Sequence, residues 1–423
     1  MDFSSFELNK GKRMKIAIVL YEINNPGGII NHTEVLAKGF KELGHSVELK
    51  MITTVKNKKE FKEGSLDNSF VKGEFGLWYN QYKGWNITKN ENLYFKDVDK
   101  IKETLSKFDL IIWSVPVIPK SKGFSDFTEW TEYYDVPVKQ LAIVHDGNLQ
   151  KLNSHFLDIQ DKITGVACVH SCAYETGSVL KVPRALILNP QIIKPIEDPD
   201  WDKKEKGFLS PQTFKAWKRV EDTIKSIPFM DKDIFKGVAG EGIELCYLKT
   251  ENREKMKPHY LVDGVPIWKT ALENGLEYLG VITNTQRDEY LRKYRTLIDS
   301  SESDYYNSFG GHFNRTVIEA MIQGCIPLAR ELGVLFKEND NFIKLPPHKN
   351  LDPKEFAEVV NYTNNLDKNT ATKIQENNFK LIKMFDYIKI AEDFLKLADG
   401  KPCGYYNKIE IGGEKKEDSL DEW

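Results

Sequence analysis

The chain has 423 residues, of which 29% are charged and 40% are hydrophobic, a balance typical of globular proteins. Its length exceeds what one small hydrophobic core needs and favours two domains of roughly 200 residues each. The formal net charge of −3 excludes a uniformly basic nucleic-acid-binding protein, so any contact with nucleic acid must use a local basic patch.

Cysteine use and hydropathy bear on the cellular compartment. The five cysteines are odd in number and widely spaced, which favours reduced thiols in a cytosolic protein. Met1 precedes a polar segment without an apolar core, so no signal peptide is predicted. The most apolar run, 110–119, is too short to cross a bilayer. We therefore predict no transmembrane segment and a cytoplasmic location.

The first half of the chain alternates predicted strands and helices. An apolar, β-branched run at 15–20 predicts a buried strand, and a loop is predicted over 21–32. Apolar spacing then predicts a helix that stops at Gly44, and the next strand covers 45–53. This order is a βαβ unit, and the alternation continues through a first domain at 1–193. Further predicted elements are a helix at 98–108 and strands at 109–117, 141–144, 165–170 and 185–188.

The second half repeats this alternation after a linker. A Pro- and charge-rich segment at 194–206 predicts the linker, and a second domain is predicted over 207–378. An amphipathic helix at 379–400 follows and is expected to cross back to the first domain, whereas the tail at 401–423 is expected to be loose. The second domain has predicted strands at 207–210, 233–240 and 276–280 and predicted helices at 220–227, 285–298 and 315–323.

These two alternations predict the fold class. Each indicates a Rossmann-like domain, that is, a doubly wound parallel sheet with helices on both faces, so the chain is predicted to be an α/β protein. Open sheets of this kind bind ligands at the carboxyl ends of their strands. Two such domains facing one another would form a central cleft with one substrate on each wall.

Two features of the first domain are typical of a ligand site. Gly27 and Gly28 lie between the first strand and the first helix, where glycines let the backbone approach an anion at a helix N-terminus. A plain tight turn is the alternative. His145 follows a predicted strand, where an imidazole can donate a hydrogen bond to a sugar hydroxyl or act as a base. A histidine satisfied within the fold is the alternative there.

Basic side chains follow the first strand of the second domain. Lys215, Lys218 and Arg219 precede the helix predicted at 220–227. Clustered positive charge is unfavourable at a helix N-terminus, so the cluster favours an anionic ligand such as a diphosphate. A solvated basic face is the alternative.

One later helix carries an isolated carboxylate. It is predicted to start at Arg315 or Thr316, and Gly324 follows its last turn. The amides of its first turn suit a phosphate. Glu319 lies one turn in, where it would repel phosphate but can accept hydrogen bonds from the vicinal hydroxyls of a ribose. Phosphate and ribose together indicate a nucleotide, and a surface glutamate on an amphipathic helix is the alternative.

Taken in order, several segments resemble the GT-B glycosyltransferases, in particular the retaining group of glycogen-synthase-like and sucrose-synthase-like enzymes. The resemblance covers about 14–398. It implies a metal-independent transferase without a cofactor, with a nucleotide sugar, favoured as a UDP-sugar, as its donor. The matching segments are PGGIINHTEVLAKGFKELGHSVEL, LILNP, LEYLGVIT with RDEYLRKYRTLIDSS and, most specifically, HFNRTVIEAMIQGCIPLA, which is similar to the group's E-x7-E helix.

On the donor side, the resemblance implies a role for each matching residue. Glu319 would bind the ribose of the donor. Lys218 would bind the diphosphate and act in catalysis, with Lys215 or Arg219 in support. The amides that would meet the diphosphate belong to Asn314, Arg315, Thr316 and Val317.

The resemblance also places residues of the first domain, which would be the acceptor side. Gly27 and Gly28 would approach the donor phosphates, and His145 would face the transferred sugar as a catalytic group. Two positions of the second domain depart from the pattern. Gly311 stands where the first Glu of E-x7-E is expected, and Thr213 stands where an Arg is usual.

A narrower resemblance concerns the acceptor. The segments VHDGN, FKAWKR, GEGIE and E-x4-G-x-I-P are similar, in the same order, to segments of phage DNA α-glucosyltransferases. That similarity implies a hydroxymethylated pyrimidine in duplex DNA as the acceptor, reached by base flipping. The insertion at 56–95 interleaves lysines with aromatic residues, which can follow a phosphate backbone and stack on bases. Acceptor-side candidates are Asp146, Trp78 and Trp85, while a hairpin packing its own aromatics or a polysaccharide groove is the alternative.

The sequence therefore favours a retaining glycosyltransferase that moves a sugar from a UDP-sugar to hydroxymethylated DNA. A cell-surface glycan or a lipid-linked acceptor is the first alternative. A non-catalytic nucleotide-sugar-binding protein, which Gly311 and Thr213 would favour, is an alternative of another class. A nucleotide-sugar epimerase would need its own acid and base, and Glu241 is the candidate for that role.

Overall fold

The chain divides by its internal contacts into two compact units. Unit 1 comprises Met1–Ile192 and Met384–Trp423, and unit 2 comprises Ile193–Lys383. The sequence predicts 207 and 378 as the limits of the second domain, so unit 2 is larger at both ends. The computed structural model describes residues 13–21, 27–53, 70–72, 77–80, 86–88, 92–114, 129–145, 156–177, 180–194, 200–212, 218–240, 261–262, 265–301, 315–333 and 335–411.

Unit 1 has its strands and helices in alternating order. Its helices before the second unit are α1 (Gly27–Glu42), α2 (Val98–Leu105) and α3 (Ser171–Thr176). Its strands are β1 (Lys15–Tyr21), β2 (Ser46–Thr53), β3 (Phe70–Lys72), β4 (Leu77–Asn80), β5 (Asn86–Thr88), β6 (Asn92–Tyr94), β7 (Leu110–Trp113), β8 (Lys139–Val144), β9 (Gly165–Cys168) and β10 (Arg184–Leu186).

The described residues of unit 1 form a parallel sheet of seven strands in the order β10-β9-β8-β7-β1-β2-β6. The central strand β1 is buried from Ile16 to Tyr21, as expected for a parallel strand covered on both faces. The chain runs from β1 to β2 and β6 on one side and then crosses to β7 on the other. The crevice at this change of direction therefore opens between the carboxyl ends of β1 and β7.

The predicted insertion at 56–95 contains a small antiparallel sheet in the order β3-β4-β5. Trp78 lies on the middle strand, where its Cα partners are Lys72 and Ile87. Trp85 lies outside the described residues. The described strands of the insertion therefore pair with one another. This pairing agrees with the alternative of a hairpin that packs on itself.

Unit 2 has the same alternation. Its helices are α4 (Val220–Ser226), α5 (Ile267–Glu273), α6 (Asn284–Lys293), α7 (Arg315–Ile322), α8 (Pro353–Asn364) and α9 (Lys368–Ile382). Its strands are β11 (Glu205–Pro211), β12 (Phe235–Ala239), β13 (Leu261–Val262), β14 (Val265–Pro266), β15 (Leu276–Tyr278), β16 (Tyr294–Asp299), β17 (Ile326–Ala329) and β18 (Ile343–Lys344).

In the part of unit 2 that the structure describes, six strands form a parallel sheet in the order β15-β12-β11-β16-β17-β18. A core of buried apolar side chains packs on it and includes Phe208, Ile298 and Phe356. The chain runs outward from β11 to β12 and β15 and then crosses back to β16 on the other side of β11. The second crevice therefore opens between the carboxyl ends of β11 and β16.

The helix predicted at 285–298 is wrong in its second half. Helix α6 ends at Lys293, and the central strand β16 begins at Tyr294. The buried Lys204 ammonium stops the helix, because its Nζ donates to the carbonyls of Leu291 at 2.8 Å and Arg292 at 2.9 Å. These carbonyls belong to the last turn, which has no partners of its own within the helix. No local signal marks this stop, since Lys204 is distant in sequence.

Other predicted boundaries differ as well, and three of the differences bear on the site or on the domain limits. Helix α1 begins at Gly27, so Gly27 and Gly28 are helical rather than part of a loop over 21–32. Strand β11 begins inside the predicted linker at 194–206. The one helix predicted at 379–400 is the end of α9 and a separate helix α10 (Tyr387–Ala398), whose N-terminal amides bond to the Asp386 carboxylate.

Helix α10 packs against α1 within unit 1, at a point that leaves no space for a side chain. A Cβ added to Gly39 would lie 2.4 Å from the Tyr387 carbonyl oxygen and 2.9 Å from the Ala391 Cβ. Close by, the rings of Phe40 and Phe394 meet edge to face at 6.4 Å. The last described helix therefore packs into the core of the first unit.

No described helix combines the length and the apolar character needed to cross a membrane. Among the cysteines whose side chains are described, Cys168, Cys325 and Cys403 are buried free thiols. Cys246 lies outside the described residues.

Candidate functional site

The carboxyl end of β16 is a cluster of hydrogen-bonded polar side chains beside the end of β11. The buried Asp299 Oδ1 accepts from Gln212 Nε2 at 2.5 Å and from the Ser301 backbone amide at 3.2 Å. Gln212 directly follows β11, so this carboxylate ties together the two strands that flank the crevice. These residues were not predicted, because the segment that ends near Asp299 was interpreted as a helix.

Lys218 and Arg219 lie at the same edge of the sheet. The Lys218 carbonyl accepts a 3.0 Å hydrogen bond from the hydroxyl of Ser300, which follows β16. Arg219 has a left-handed backbone with φ +50°, immediately before α4. An L-residue in this region costs roughly 1–2 kcal/mol. Its guanidinium lies 3.5 Å from the carboxylate of Glu221. Two of the three predicted basic residues therefore lie beside the crevice between the carboxyl ends of β11 and β16. Lys215 lies outside the described residues.

Helix α7 places Glu319 among arginines. The Glu319 carboxylate is 9% exposed and makes ion pairs with Arg287 Nη1 at 2.7 Å and Arg315 Nε at 3.1 Å. Arg287 comes from α6 and was not predicted. A carboxylate offers about four lone-pair sites, so two guanidinium contacts leave capacity for the hydroxyls of a ribose. The pairing also offsets the negative charge that would otherwise repel a nearby phosphate.

The N-terminus of α7 is oriented by the topology of the sheet. The helix lies between β16 and β17 in the chain, so its first turn lies at the carboxyl edge, as a phosphate site requires. Thr316 is half-buried and Val317 is buried in this turn. Gly324 follows the helix with φ +70°, as predicted for the residue after the last turn. Asn314 lies outside the described residues.

A buried ion pair also lies at the carboxyl edge of the unit 2 sheet. Arg330 follows β17, and its Nη2 lies 2.5 Å from Asp222 Oδ2 on α4. His348 Nδ1 lies 2.7 Å from the same carboxylate oxygen. Sequence reasoning missed this group because its members come from three separate elements, and no single segment carries a recognisable spacing.

In unit 1, neutral polar groups lie at the crevice between β1 and β7. The Ser114 and Thr33 hydroxyls are hydrogen-bonded at 2.7 Å, and Ser114 Oγ lies 3.5 Å from His145 Nε2. Ser114 follows β7 and His145 follows β8, whereas Thr33 comes from α1. Three elements therefore converge on the position at which the sequence predicts a site.

A second histidine, which was not predicted from the sequence, accompanies His145. The rings of His32 and His145 meet edge to face, with centroids 4.6 Å apart, and His32 Nδ1 lies 2.7 Å from Asn189 Oδ1. Burial lowers the pKa of His145 to about 4. The imidazole is therefore neutral near pH 7 and can donate or accept a hydrogen bond without carrying a charge.

Of the remaining predicted site residues, the structure describes some and not others. Gly27 and Gly28 form the first turn of α1, and Trp78 lies on β4. Outside the described residues lie Asp146, Trp85, Thr213, Glu241 and Gly311. The functional roles assigned to all predicted site residues stay predictions.

In the described part of the chain, no group of three or more His, Cys, Asp or Glu side chains is arranged to hold a metal ion. Two carboxylates at the carboxyl edge of the unit 2 sheet are instead paired with cations. Asp222 bonds to Arg330, and Glu319 bonds to Arg287 and Arg315. Metal independence and the absence of a cofactor stay predictions.

Comparison with known proteins places the fold. Neither a protein-family model nor a curated protein sequence matches the chain. Among solved structures, Anabaena Alr3699/HepE in complex with UDP and glucose is 14% identical, with a TM-score of 0.61 over 91% of this chain and 99% of that one. An α-glucosyltransferase in complex with UDP-glucose and DNA containing an abasic site is 13% identical, with a TM-score of 0.60 over 91% and 100%.

A third similar structure is a point variant of S. aureus TarM in complex with fondaparinux, α-GlcNAc-glycerol and UDP. It is 12% identical, with a TM-score of 0.59 over 91% of this chain and 100% of that one. At these identities the likeness establishes the fold. The α/β class and the resemblance to GT-B glycosyltransferases are thereby confirmed, and this chain has the GT-B fold.

Proposed function

We propose that the protein is a glycosyltransferase that uses a nucleoside diphosphate sugar, with UDP as the nucleotide. One observation carries the proposal. At the carboxyl edge of the unit 2 sheet, Lys218 and Arg219 lie between β11 and α4 with the Lys218 carbonyl bonded to Ser300 after β16, and the arginine-paired Glu319 lies one turn into α7. Several solved structures of the same fold hold UDP or UDP-glucose. Basic side chains suit the diphosphate of such a donor, and the Glu319 carboxylate suits its ribose.

The chemistry of donor binding follows from these groups. The Lys218 ammonium and the amides of the first turn of α7 offset the charge that develops on the departing diphosphate. Hydrogen bonds to a charged partner contribute about 1.5–3 kcal/mol each. Glu319, held by Arg287 and Arg315, accepts the hydroxyls of the ribose. The protein supplies these charges itself, so the proposal needs no metal ion.

His145 serves the sugar in this proposal. Its neutral imidazole, beside the Ser114 hydroxyl, offers a hydrogen bond to a sugar hydroxyl without attracting the diphosphate. Retention of anomeric configuration is proposed from the resemblance of the sequence to the retaining group. NMR of the product tests it, since a retaining enzyme gives an α-linked product from an α-linked donor and an inverting enzyme gives a β-linked one.

The acceptor that we propose is a hydroxymethylated pyrimidine in duplex DNA. It rests on the resemblance of four sequence segments to phage DNA α-glucosyltransferases and on the likeness of fold to an α-glucosyltransferase in complex with UDP and a 13-mer DNA containing an HMU base. A glycan or lipid-linked acceptor is the second candidate, favoured by the likeness to TarM, whose structure contains α-GlcNAc-glycerol.

A transfer assay tests the proposal. The protein is incubated with a panel of UDP-sugars and duplex DNA that contains 5-hydroxymethylcytosine, 5-hydroxymethyluracil or neither base, and UDP release and DNA mass are measured. We expect UDP release with a mass increase of one sugar in hydroxymethylated DNA alone. UDP release without DNA modification would mean transfer of the sugar to water, would contradict a DNA acceptor and would favour the second acceptor class. UDP-sugar binding without turnover on any acceptor would favour the non-catalytic alternative.

A further inference from the structure

A continuous path of hydrogen bonds leads from a buried ion pair to the backbone of Lys218. Asp222 Oδ2 lies 2.5 Å from Arg330 Nη2. The Nη1 of the same guanidinium donates to the Ser300 carbonyl. The Ser300 hydroxyl donates to the Lys218 carbonyl at 3.0 Å. The path therefore connects α4, the end of β17 and the end of β16 to the residue proposed to bind the diphosphate.

The path is shielded from water. Asp222, Arg330 and Ser300 are 2%, 3% and 0% exposed. The third nitrogen of the guanidinium, Nε, donates to the Pro346 carbonyl at 2.8 Å, so every nitrogen of Arg330 has a partner. A buried ion pair contributes little net stability, because the cost of desolvating both charges offsets their attraction. A fixed geometry is what such a pair can supply.

Lys218 has a reason to need a fixed backbone. Its ammonium lies at the end of a flexible four-carbon stem, so its position depends on where that stem begins. The residue that follows it, Arg219, has a left-handed backbone, which turns the chain sharply at this point. An error of about 1 Å in the position of a catalytic group can cost on the order of 100-fold in rate.

We propose that Ser300 and Arg330 are positioning residues for Lys218. This inference rests on the proposed function, in which Lys218 binds the diphosphate of UDP. Ser300 holds the Lys218 carbonyl directly. Arg330 holds the Ser300 backbone and is itself fixed by Asp222, so neither residue needs to touch the ligand.

Titration with UDP, followed by calorimetry, tests the inference with matched variants. Ser300→Ala removes the hydroxyl that bonds to the Lys218 carbonyl. Thr363→Val is the control, because the Thr363 hydroxyl is equally buried and donates to the Val359 carbonyl at 2.8 Å within α8, outside the path to Lys218. We expect Ser300→Ala to weaken UDP binding about tenfold, which equals about 1.4 kcal/mol. Thr363→Val should leave the affinity unchanged, and both variants should lose similar thermal stability.

A double-mutant cycle separates positioning from general loosening of the fold. If Ser300 acts through Lys218, then Ser300→Ala causes no further loss of UDP affinity when Lys218 is already alanine. Arg330→Lys should resemble Ser300→Ala, since a lysine keeps the charge but cannot reach all three partners. Because Ser300→Ala removes only one hydroxyl, it keeps the test valid if Arg330→Lys does not fold.

The outcomes distinguish this inference from the proposed function. If the unmodified protein binds no UDP, both are overturned. If it binds UDP and Ser300→Ala binds equally well, the positioning role is overturned while the proposed function stands. An equal tenfold loss in the presence and absence of the Lys218 side chain would also overturn the positioning role.

Discussion

Each unit has a crevice where the strand order of its sheet reverses. The two crevices have the same topology, but neutral side chains lie at one and charged side chains at the other. In unit 1, the crevice between β1 and β7 holds hydroxyls and a neutral imidazole, represented by Ser114, Thr33 and His145. In unit 2, charged residues lie at the carboxyl edge of the sheet, represented by Lys218, whose carbonyl bonds to Ser300 after β16, and by Glu319, which pairs with Arg287. Neutral donors and acceptors suit a ligand rich in hydroxyls, whereas paired charges suit a phosphate ester. Two sheets of the same type can therefore suit different ligands, depending on the few residues that follow their central strands.

Replacement of Lys218 by alanine should have the largest effect, because it removes a positive charge from the crevice of unit 2. Loss of a charge-assisted contact to a diphosphate should reduce kcat/KM for the UDP-sugar about 100-fold, which corresponds to roughly 2.7 kcal/mol. Lys206→Ala is the matched control, because Lys206 lies near the amino end of β11 and pairs with Asp233 at 2.9 Å. Equal effects of the two substitutions, measured by UDP release, would contradict a charged site at the carboxyl edge.

Substitution of Gly39 by alanine should affect unit 1 alone. The added Cβ would lie 2.4 Å from the Tyr387 carbonyl oxygen, so α1 and α10 must separate. We expect a loss of about 2 kcal/mol in the free energy of unfolding of unit 1, as for other overpacked cores. Lys41→Ala, at an exposed position near the end of the same helix, is the control. UDP affinity should not change in either variant, and a parallel loss of UDP binding would place the nucleotide in unit 1.

The Glu319→Ala variant should lose its preference for a ribose. We expect UDP affinity to fall about tenfold through the lost hydrogen bonds. The affinity for 2′,3′-dideoxy-UDP should stay near that of the unmodified protein, because this analogue lacks the hydroxyls that Glu319 is proposed to accept. Competition titration with the two nucleotides measures the difference. If Glu319→Ala weakens both nucleotides equally, the carboxylate acts through Arg287 and Arg315 rather than on the ribose.

Arg219→Gly should raise stability while lowering affinity. Glycine adopts the left-handed region without strain, so the free energy of unfolding should increase by about 1 kcal/mol. The lost guanidinium should weaken UDP binding a few-fold. Chemical denaturation and calorimetry on the same preparation give both quantities. A variant that is both less stable and equally active would show that Arg219 serves the fold alone.

The smallest expected effect is the pH dependence that comes from His145. Because burial lowers its pKa to about 4, the imidazole stays neutral from pH 6 to 8 and should add no inflection to the activity profile there. Below pH 6.5 the unfolded chain binds a proton that the folded chain excludes, so stability should fall as the pH drops from 6.5 to 4. In His145→Asn this part of the pH dependence should disappear, and its persistence would assign it to another group.

The sequence was sufficient for the class of fold because its strongest signals are local. The apolar run of β1, the amphipathic spacing of α1 and the glycine after α7 are each readable from a short window. Basic residues before α4 and the carboxylate of α7 could also be singled out, since helix ends attract particular charges. These features singled out Lys218, Arg219 and Glu319 as candidate ligand-binding residues, and their joint role in donor binding stays a prediction.

What the sequence could not supply depends on contacts between distant segments. The segment of β16 was interpreted as the second half of a helix. The helix ends before it at the ammonium of Lys204, which bonds to the Arg292 carbonyl from 88 residues away, so the stop cannot be seen in a short window of sequence. Asp222, Arg330 and His348 meet only through the sheet, so no spacing connects them. Likewise, the pairing of Glu319 with Arg287 requires α6 and α7 to pack together.

Hydrogen exchange in the presence of saturating UDP tests the central claim most directly, because it locates the nucleotide without assuming an acceptor. The account predicts slower exchange at the carboxyl end of β16, around 299–301, and in the first turns of α4 and α7, all in unit 2. Protection confined to the crevice between β1 and β7 of unit 1, or no protection at saturating UDP, would contradict it.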